Sequence, residues 1–225
     1  MSSVVPHSFL FRYSIPVPRI YALPKSRGAA LLALPETCRL PNVRQIEKTS
    51  DGLVPDFADV RVAWNAGGLA VSAEVGGRQH PVESDRTQPT ETDGLQVWID
   101  TRDTKNIHRS SRFCHHFALL PFCGMSKSAR PTGMQLAIAR AKEKQALAAE
   151  SDIRVKSRRR KDGYLLEAWL PEKILHGFDP ESQPRLGFYY CVVDSELGTQ
   201  FMTVNDDFPF ANDPSLWATI ELTDA

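Results

Sequence analysis

The stretch Asp59-Val60-Arg61-Val62-Ala63-Trp64-Asn65, with Gly67-Gly68 and then Leu69-Ala70-Val71-Ser72-Ala73-Glu74-Val75, decides the fold. Val60, Val62 and Trp64 alternate with Arg61, Ala63 and Asn65, a period of two that sends the two sets to opposite faces of a strand. The glycines turn the chain, and Leu69, Val71, Ala73 and Val75 repeat the alternation against Ala70, Ser72 and Glu74. The pair reads as a β-hairpin with one apolar face, which has to be buried against a second layer.

Downstream, a polar segment from Gly76 to Thr92 leads to Asp93-Gly94 and a strand in which Leu95, Val97 and Ile99 oppose Gln96, Trp98 and Asp100. A charged loop (101–112) precedes a strand-like run from Phe113 to Pro121. Met134 to Glu150 is rich in helix formers, but its apolar residues keep a 3.6 period only loosely. A second hairpin follows: Ile153 to Lys156, a basic turn at Arg158-Arg159-Arg160-Lys161-Asp162-Gly163, and Tyr164 to Leu170. Pro171 to Leu175 reads as one helical turn, and Leu186–Val193, Gln200–Val204 and Trp217–Leu222 as further strands. Upstream, the six prolines of residues 1–50 favour short extended pieces, so this part reads as a lead-in packed on a domain spanning 51–225. The expected fold is all-β: an antiparallel β-sandwich, jelly-roll-like, with few short helices.

Composition narrows the function. Among 225 residues, 27 Lys+Arg balance 27 Asp+Glu, so no overall field favours nucleic acid or an anionic membrane, and neither is expected as a partner. No run approaches the ~20 apolar residues of a membrane-spanning helix. The first residues lack a basic start followed by a long apolar stretch, and Cys38, Cys114, Cys123 and Cys191 form no CxxC pair; both point to a reducing cytoplasm. Nothing in the sequence fixes the oligomeric state.

Motifs of defined mechanism, such as a phosphate-binding glycine loop or a GxSxG elbow, are missing. The densest reactive group is His108 to His116, where a strand would aim Cys114 and His116 to one face and His115 to the other. With Cys123 or His108 as a third ligand, these residues would make a metal-dependent enzyme; the plainer alternative is a polar strand beside a basic loop. Asp93, Asp100, Asp103, Asp194, Asp206, Asp207 and Asp213 lie mostly at strand ends, where carboxylates make turns or, if several converge, coordinate calcium. Arg158 to Lys161 reads as a solvated turn. Trp98 and Trp169 each lie opposite an apolar strand face, and Phe208 and Phe210 flank Pro209 in an acidic loop. Sugars lie flat on such rings while polar side chains take their hydroxyls; the alternative for both tryptophans is a second core layer.

The order of several stretches resembles the family 9 carbohydrate-binding modules and their wider DOMON-like relatives. They are Val60-Arg61-Val62-Ala63-Trp64-Asn65 with Leu69 to Ala73, Asp93-Gly94-Leu95-Gln96-Val97-Trp98-Ile99-Asp100, Gly163-Tyr164-Leu165-Leu166-Glu167-Ala168, Leu186-Gly187-Phe188 with Val193-Asp194, and Asp213-Pro214-Ser215-Leu216-Trp217. The resemblance covers about Asp56 to Leu222, and because the resembling modules are extended there it implies a strand with a long loop, in place of a helix, over Met134 to Glu150. It implies a non-catalytic jelly-roll sandwich, tied to carbohydrate catabolism, that clamps a sugar between two tryptophans and carries structural calcium. The clamp positions fall at Thr90 and Ala211, neither aromatic, and the family's sugar-binding glutamine and arginine fall near His116 and Ala118. The expected ligand is a mono- or oligosaccharide in a groove formed by loops around Thr90, His108 to His116 and Asp206 to Asp213. Trp98, Phe208 or Phe210 would stack on the sugar, and His116, Asp206, Asp207, Arg109 and Arg112 would supply polar contacts. A sandwich that has lost sugar binding and docks a protein on an exposed face around Trp98 and Trp169 is the second reading, and the metal-dependent enzyme at His108, Cys114 and His116 the third.

Overall fold

The computed structural model describes residues 13–21, 32–40, 56–124, 129–143 and 146–224. In chain order its strands are β1 (Ser14–Pro18), β2 (Ala58–Asn65), β3 (Gly68–Val75), β4 (Gly94–Asp100), β5 (Cys114–Cys123) and β6 (Arg130–Leu136). They continue with β7 (Arg154–Arg160), β8 (Gly163–Pro171), β9 (Arg185–Asp194), β10 (Gly198–Phe201) and β11 (Ala218–Thr223). Among the described residues the only helical pieces are single 3-10 turns, as at Glu172–Ile174 after Pro171. The all-β reading holds, because alternating strands separated by turn residues leave no continuous 3.6-period face for a longer helix.

Two sheets face each other. The larger runs β1-β11-β9-β4-β5-β6, with β10 also on β9; the smaller runs β2-β3-β8-β7. Register places Val60, Val62 and Trp64 of β2 opposite Ala73, Val71 and Leu69 of β3, and these meet Leu95, Val97, Ile99, Phe117, Phe188 and Ile220 in one apolar core. Among the described strands all pairs are antiparallel except β1 with β11, where Ser14 to Pro18 run parallel to Thr219 to Thr223.

Both tryptophans singled out in the sequence are buried on outward faces. On the smaller sheet Trp169 is 2% exposed, under Leu32, Leu34 and Cys38. Glu167 beside it accepts the amides of Leu32 (3.0 Å) and Ala33 (2.9 Å), so a buried carboxylate anchors this part of the lead-in. The remaining lead-in, at 1–12, 22–31 and 41–50, lies outside the described residues. On the larger sheet all seven residues of β4 are buried, so Trp98 has a cover too. An exposed apolar patch for protein docking is therefore not found at either ring.

One local reading changes and one holds. The basic turn shrinks to Lys161–Asp162; Arg158, Arg159 and Arg160 belong to edge strand β7, with Arg158 and Arg160 facing the side of Trp169 and Arg159 over the Phe122 ring at 4.1 Å. Charge repeated along an edge keeps further strands from pairing there. The 134–150 segment is a strand end followed by irregular chain, as the resemblance implies: β6 ends at Leu136, and residues 137–143 and 146–149 form no helix before the 3-10 turn at Glu150–Asp152.

Candidate functional site

The outward face of the larger sheet is built from alternate residues of its central strands. Pairing sets Trp98 of β4 between His116 of β5 and Tyr189 of β9, so the three side chains share that face. The Trp98 and His116 rings stack at 4.2 Å with planes 10° apart, and Phe210 meets Trp98 edge-on at 5.4 Å. Trp98, His116 and Phe210 are 3%, 6% and 9% exposed. The expected stacking platform is thus closed: these rings pack on one another under the loop that carries Phe210, because apolar rings left in water gain more by mutual burial. Trp98 Nε1 is buried without a hydrogen-bond partner.

The Nε2 of His116 is engaged within the sheet. Gln96 Nε2 donates to the Pro89 carbonyl (2.6 Å), which leaves Gln96 Oε1 as acceptor for His116 Nε2–H at 3.0 Å. Burial pushes the imidazole down to about 3, so it stays neutral. His115 points inward, as strand parity requires, accepting from Gln135 Nε2 (3.1 Å) and held near about 4, again by burial.

Beside β5 the face opens into a cavity of about 390 Å³, lined by Ser110, Ser111 and Cys114 on one side and by Ala137, Ile138, Arg140, Ala141, Glu143 and Leu147 on the other. Its volume is at the lower end for ligand pockets. Ser110 Oγ is buried without a hydrogen-bond partner, and Leu147 is among the exposed large apolar residues. The second wall is tied on: Lys142 N donates to Ser110 O (2.8 Å), Arg109 Nε to Arg140 O (2.8 Å), and Arg112 lies 3.9 Å from Glu143. Arg109 and Arg112, expected as direct ligands, thus position a cavity wall. Burial pushes the Cys114 thiol up to about 12, so it remains a protonated, poorly nucleophilic group. Arg140, Glu143 and Leu147 were not anticipated from the sequence, since no period marks the path of a loop.

The other expected residues scatter. Asp206 and Asp207 are exposed, with Asp207 taking the Asn205 amide (3.0 Å), and Phe208 is half-buried. Of the clamp positions, Thr90 is exposed and Ala211 packs against the core. His108 pairs with Asp213 at 3.0 Å, away from His116, and among the described residues no three His, Cys, Asp or Glu side chains converge on a metal position. The metal-dependent enzyme at His108, Cys114 and His116 is corrected accordingly. The carboxylates are engaged elsewhere: Asp100 accepts the amides of Arg102 and Thr104, and Asp103 pairs with Lys105 at 2.7 Å. Asp93 and Asp194 close on the Arg78 guanidinium. A calcium ion does not fit between those two, because that space holds the arginine.

Comparisons with known proteins bear on the whole sandwich. No curated protein sequence matches the chain. A family 9 carbohydrate-binding module from Caldicellulosiruptor kristjanssonii, solved in complex with glucose, is 17% identical with a TM-score of 0.56, over 93% of this chain and 96% of that one. A family 9 module from the same organism, in complex with cellotriose, is 16% identical with a TM-score of 0.53, over 95% of each chain. At such identities the likeness is one of fold. The sequence itself, however, matches the family model for carbohydrate family 9 binding domain-like proteins over residues 41–225, the stretch that builds both sheets except β1, and the chain therefore belongs to that family of non-catalytic modules.

Proposed function

We propose that the chain binds a mono- or oligosaccharide in the cavity between the Ser110–Cys114 segment and the wall formed by residues 137–143 with Leu147. The observation that carries this reading is the lining. Ala137, Ile138 and Leu147 offer an apolar wall for the CH face of a sugar ring, opposite the unpartnered Ser110 hydroxyl, with Arg140 and Glu143 at hand for hydroxyl groups. Family membership and the sugar-bound relatives of the same fold support it. The four cysteines are free and buried, which supports a reducing, cytoplasmic setting.

Titration calorimetry with glucose, xylose and short glucans tests the proposal. Binding is expected to weaken at least tenfold in Leu147→Asp, a change at an exposed position that leaves the fold intact. No heat with any sugar removes the proposal. Binding that survives Leu147→Asp and disappears in Phe208→Ala moves the sugar to the 206–213 loop.

A further inference from the structure

Arg78 belongs to a connection that the sequence presents as polar and surface-bound, yet its side chain is 2% exposed. After β3 the chain bends at Gly76 and Gly77, Arg78 N donates to Asp162 O (2.9 Å), and the side chain turns inward where β4 begins and β9 ends. There the guanidinium lies 3.2 Å from Asp93, in contact with Asp194, and 3.9 Å from Glu196. It also donates to the carbonyls of Pro81 (2.9 Å) and His80 (3.4 Å). The carboxylates are fixed from behind by amides: Glu83 and Ser195 on Asp93, Glu196 and Leu197 on Asp194.

Three carboxylates and two carbonyls thus surround one positive centre, with no nitrogen or sulfur ligand among the groups named. Oxygen donors in an irregular cage are what calcium takes, whereas magnesium demands a tight octahedron and zinc prefers nitrogen and sulfur. A single guanidinium charge faces three negative ones, and the Asp93 and Asp194 side chains are both 0% exposed. We infer that Arg78 stands in for a calcium ion: its guanidinium fills a latent cation site that joins β4 to β9, so the fold needs no metal, and a chain without this side chain takes up calcium instead. The inference is independent of where, or whether, a sugar binds.

The test is thermal unfolding of the full chain in calcium, magnesium or chelator at matched ionic strength. The wild-type midpoint is expected to be the same in all three. Arg78→Ala is expected to unfold several degrees lower in chelator, to recover at least half of that loss in millimolar calcium and less in magnesium, and to bind one calcium by calorimetry. Adding Asp194→Asn should abolish the recovery. If Arg78→Ala does not fold in chelator, soluble yield on refolding with calcium against chelator replaces the midpoint. A variant whose midpoint or yield ignores calcium overturns the inference, as does a wild-type chain that loses stability in chelator.

Discussion

Stacked on Trp98 and bonded to Gln96, His116 is a neutral core residue, and that makes it a source of acid sensitivity. Burial sets its pKa at about 3 and that of His115 at about 4, against 6.5 for a free imidazole. Between those limits the unfolded chain binds more protons than the folded one, so stability is fully present above 6.5 and falls as the pH drops below it. The slope is up to ~1.4 kcal/mol per pH unit for each histidine. Asp100, whose carboxyl is raised by burial, acts in the opposite sense over the range between its free and folded values. Urea unfolding at pH 7, 6 and 5 should show the decline, and His116→Gln, which keeps an amide for Gln96, should remove about half of the histidine slope. An unchanged slope would mean that His116 does not titrate on unfolding. Strand parity alone places Trp98 and His116 together on the outward face. It says nothing of the cover over them, because that cover is the Phe210 loop, whose path no alternation encodes.

At the level of elements, the β2–β3 hairpin depends on one of its two glycines. Gly68 has φ of +144°, and a Cβ there would lie 2.2 Å from Leu170 O and 2.9 Å from Pro171 Cα, in the neighbouring strand β8. Gly67 would meet only the Asn65 side chain at 3.2 Å and the Trp169 ring edge at 3.7 Å. Gly68→Ala is therefore expected to cost about 3 kcal/mol and Gly67→Ala under about 1 kcal/mol. The check is a lower urea midpoint with an unchanged m-value for the first variant only. The hairpin was legible because both strands alternate cleanly about the glycine pair. The chain after β6 was legible only through the family resemblance: its Ala, Lys, Glu and Gln residues satisfy helix propensity, which tertiary packing of Ile138 against the core overrides. Arg78 was silent, since one arginine among polar neighbours reads as solvated until Asp93 and Asp194, about a hundred residues apart, are brought together.

For the molecule as a whole, the sandwich is thicker than two sheets, because residues 32–40 form a partial third layer. Its anchor, Glu167, is 3% exposed and holds two amides of that segment. Glu167→Ala is expected to lose roughly 2 kcal/mol and to release Leu32 and Leu34 from Trp169. Increased fluorescence of a hydrophobic dye and a red-shifted tryptophan emission would report the uncovered ring; a variant that binds no more dye than wild type would show that the layer holds without its anchor.

The pairing of β1 with β11, whose partners are about two hundred positions apart, sets an order of events during synthesis. The first strand leaves the ribosome long before its neighbour exists, so it waits unpaired while β2, β3, β7 and β8 can already join by short turns and one crossover. Closing so long a loop comes late and slowly. Nascent chains should therefore gain protease resistance in the smaller sheet before they gain it around Ser14–Pro18, which waits for β11 to emerge.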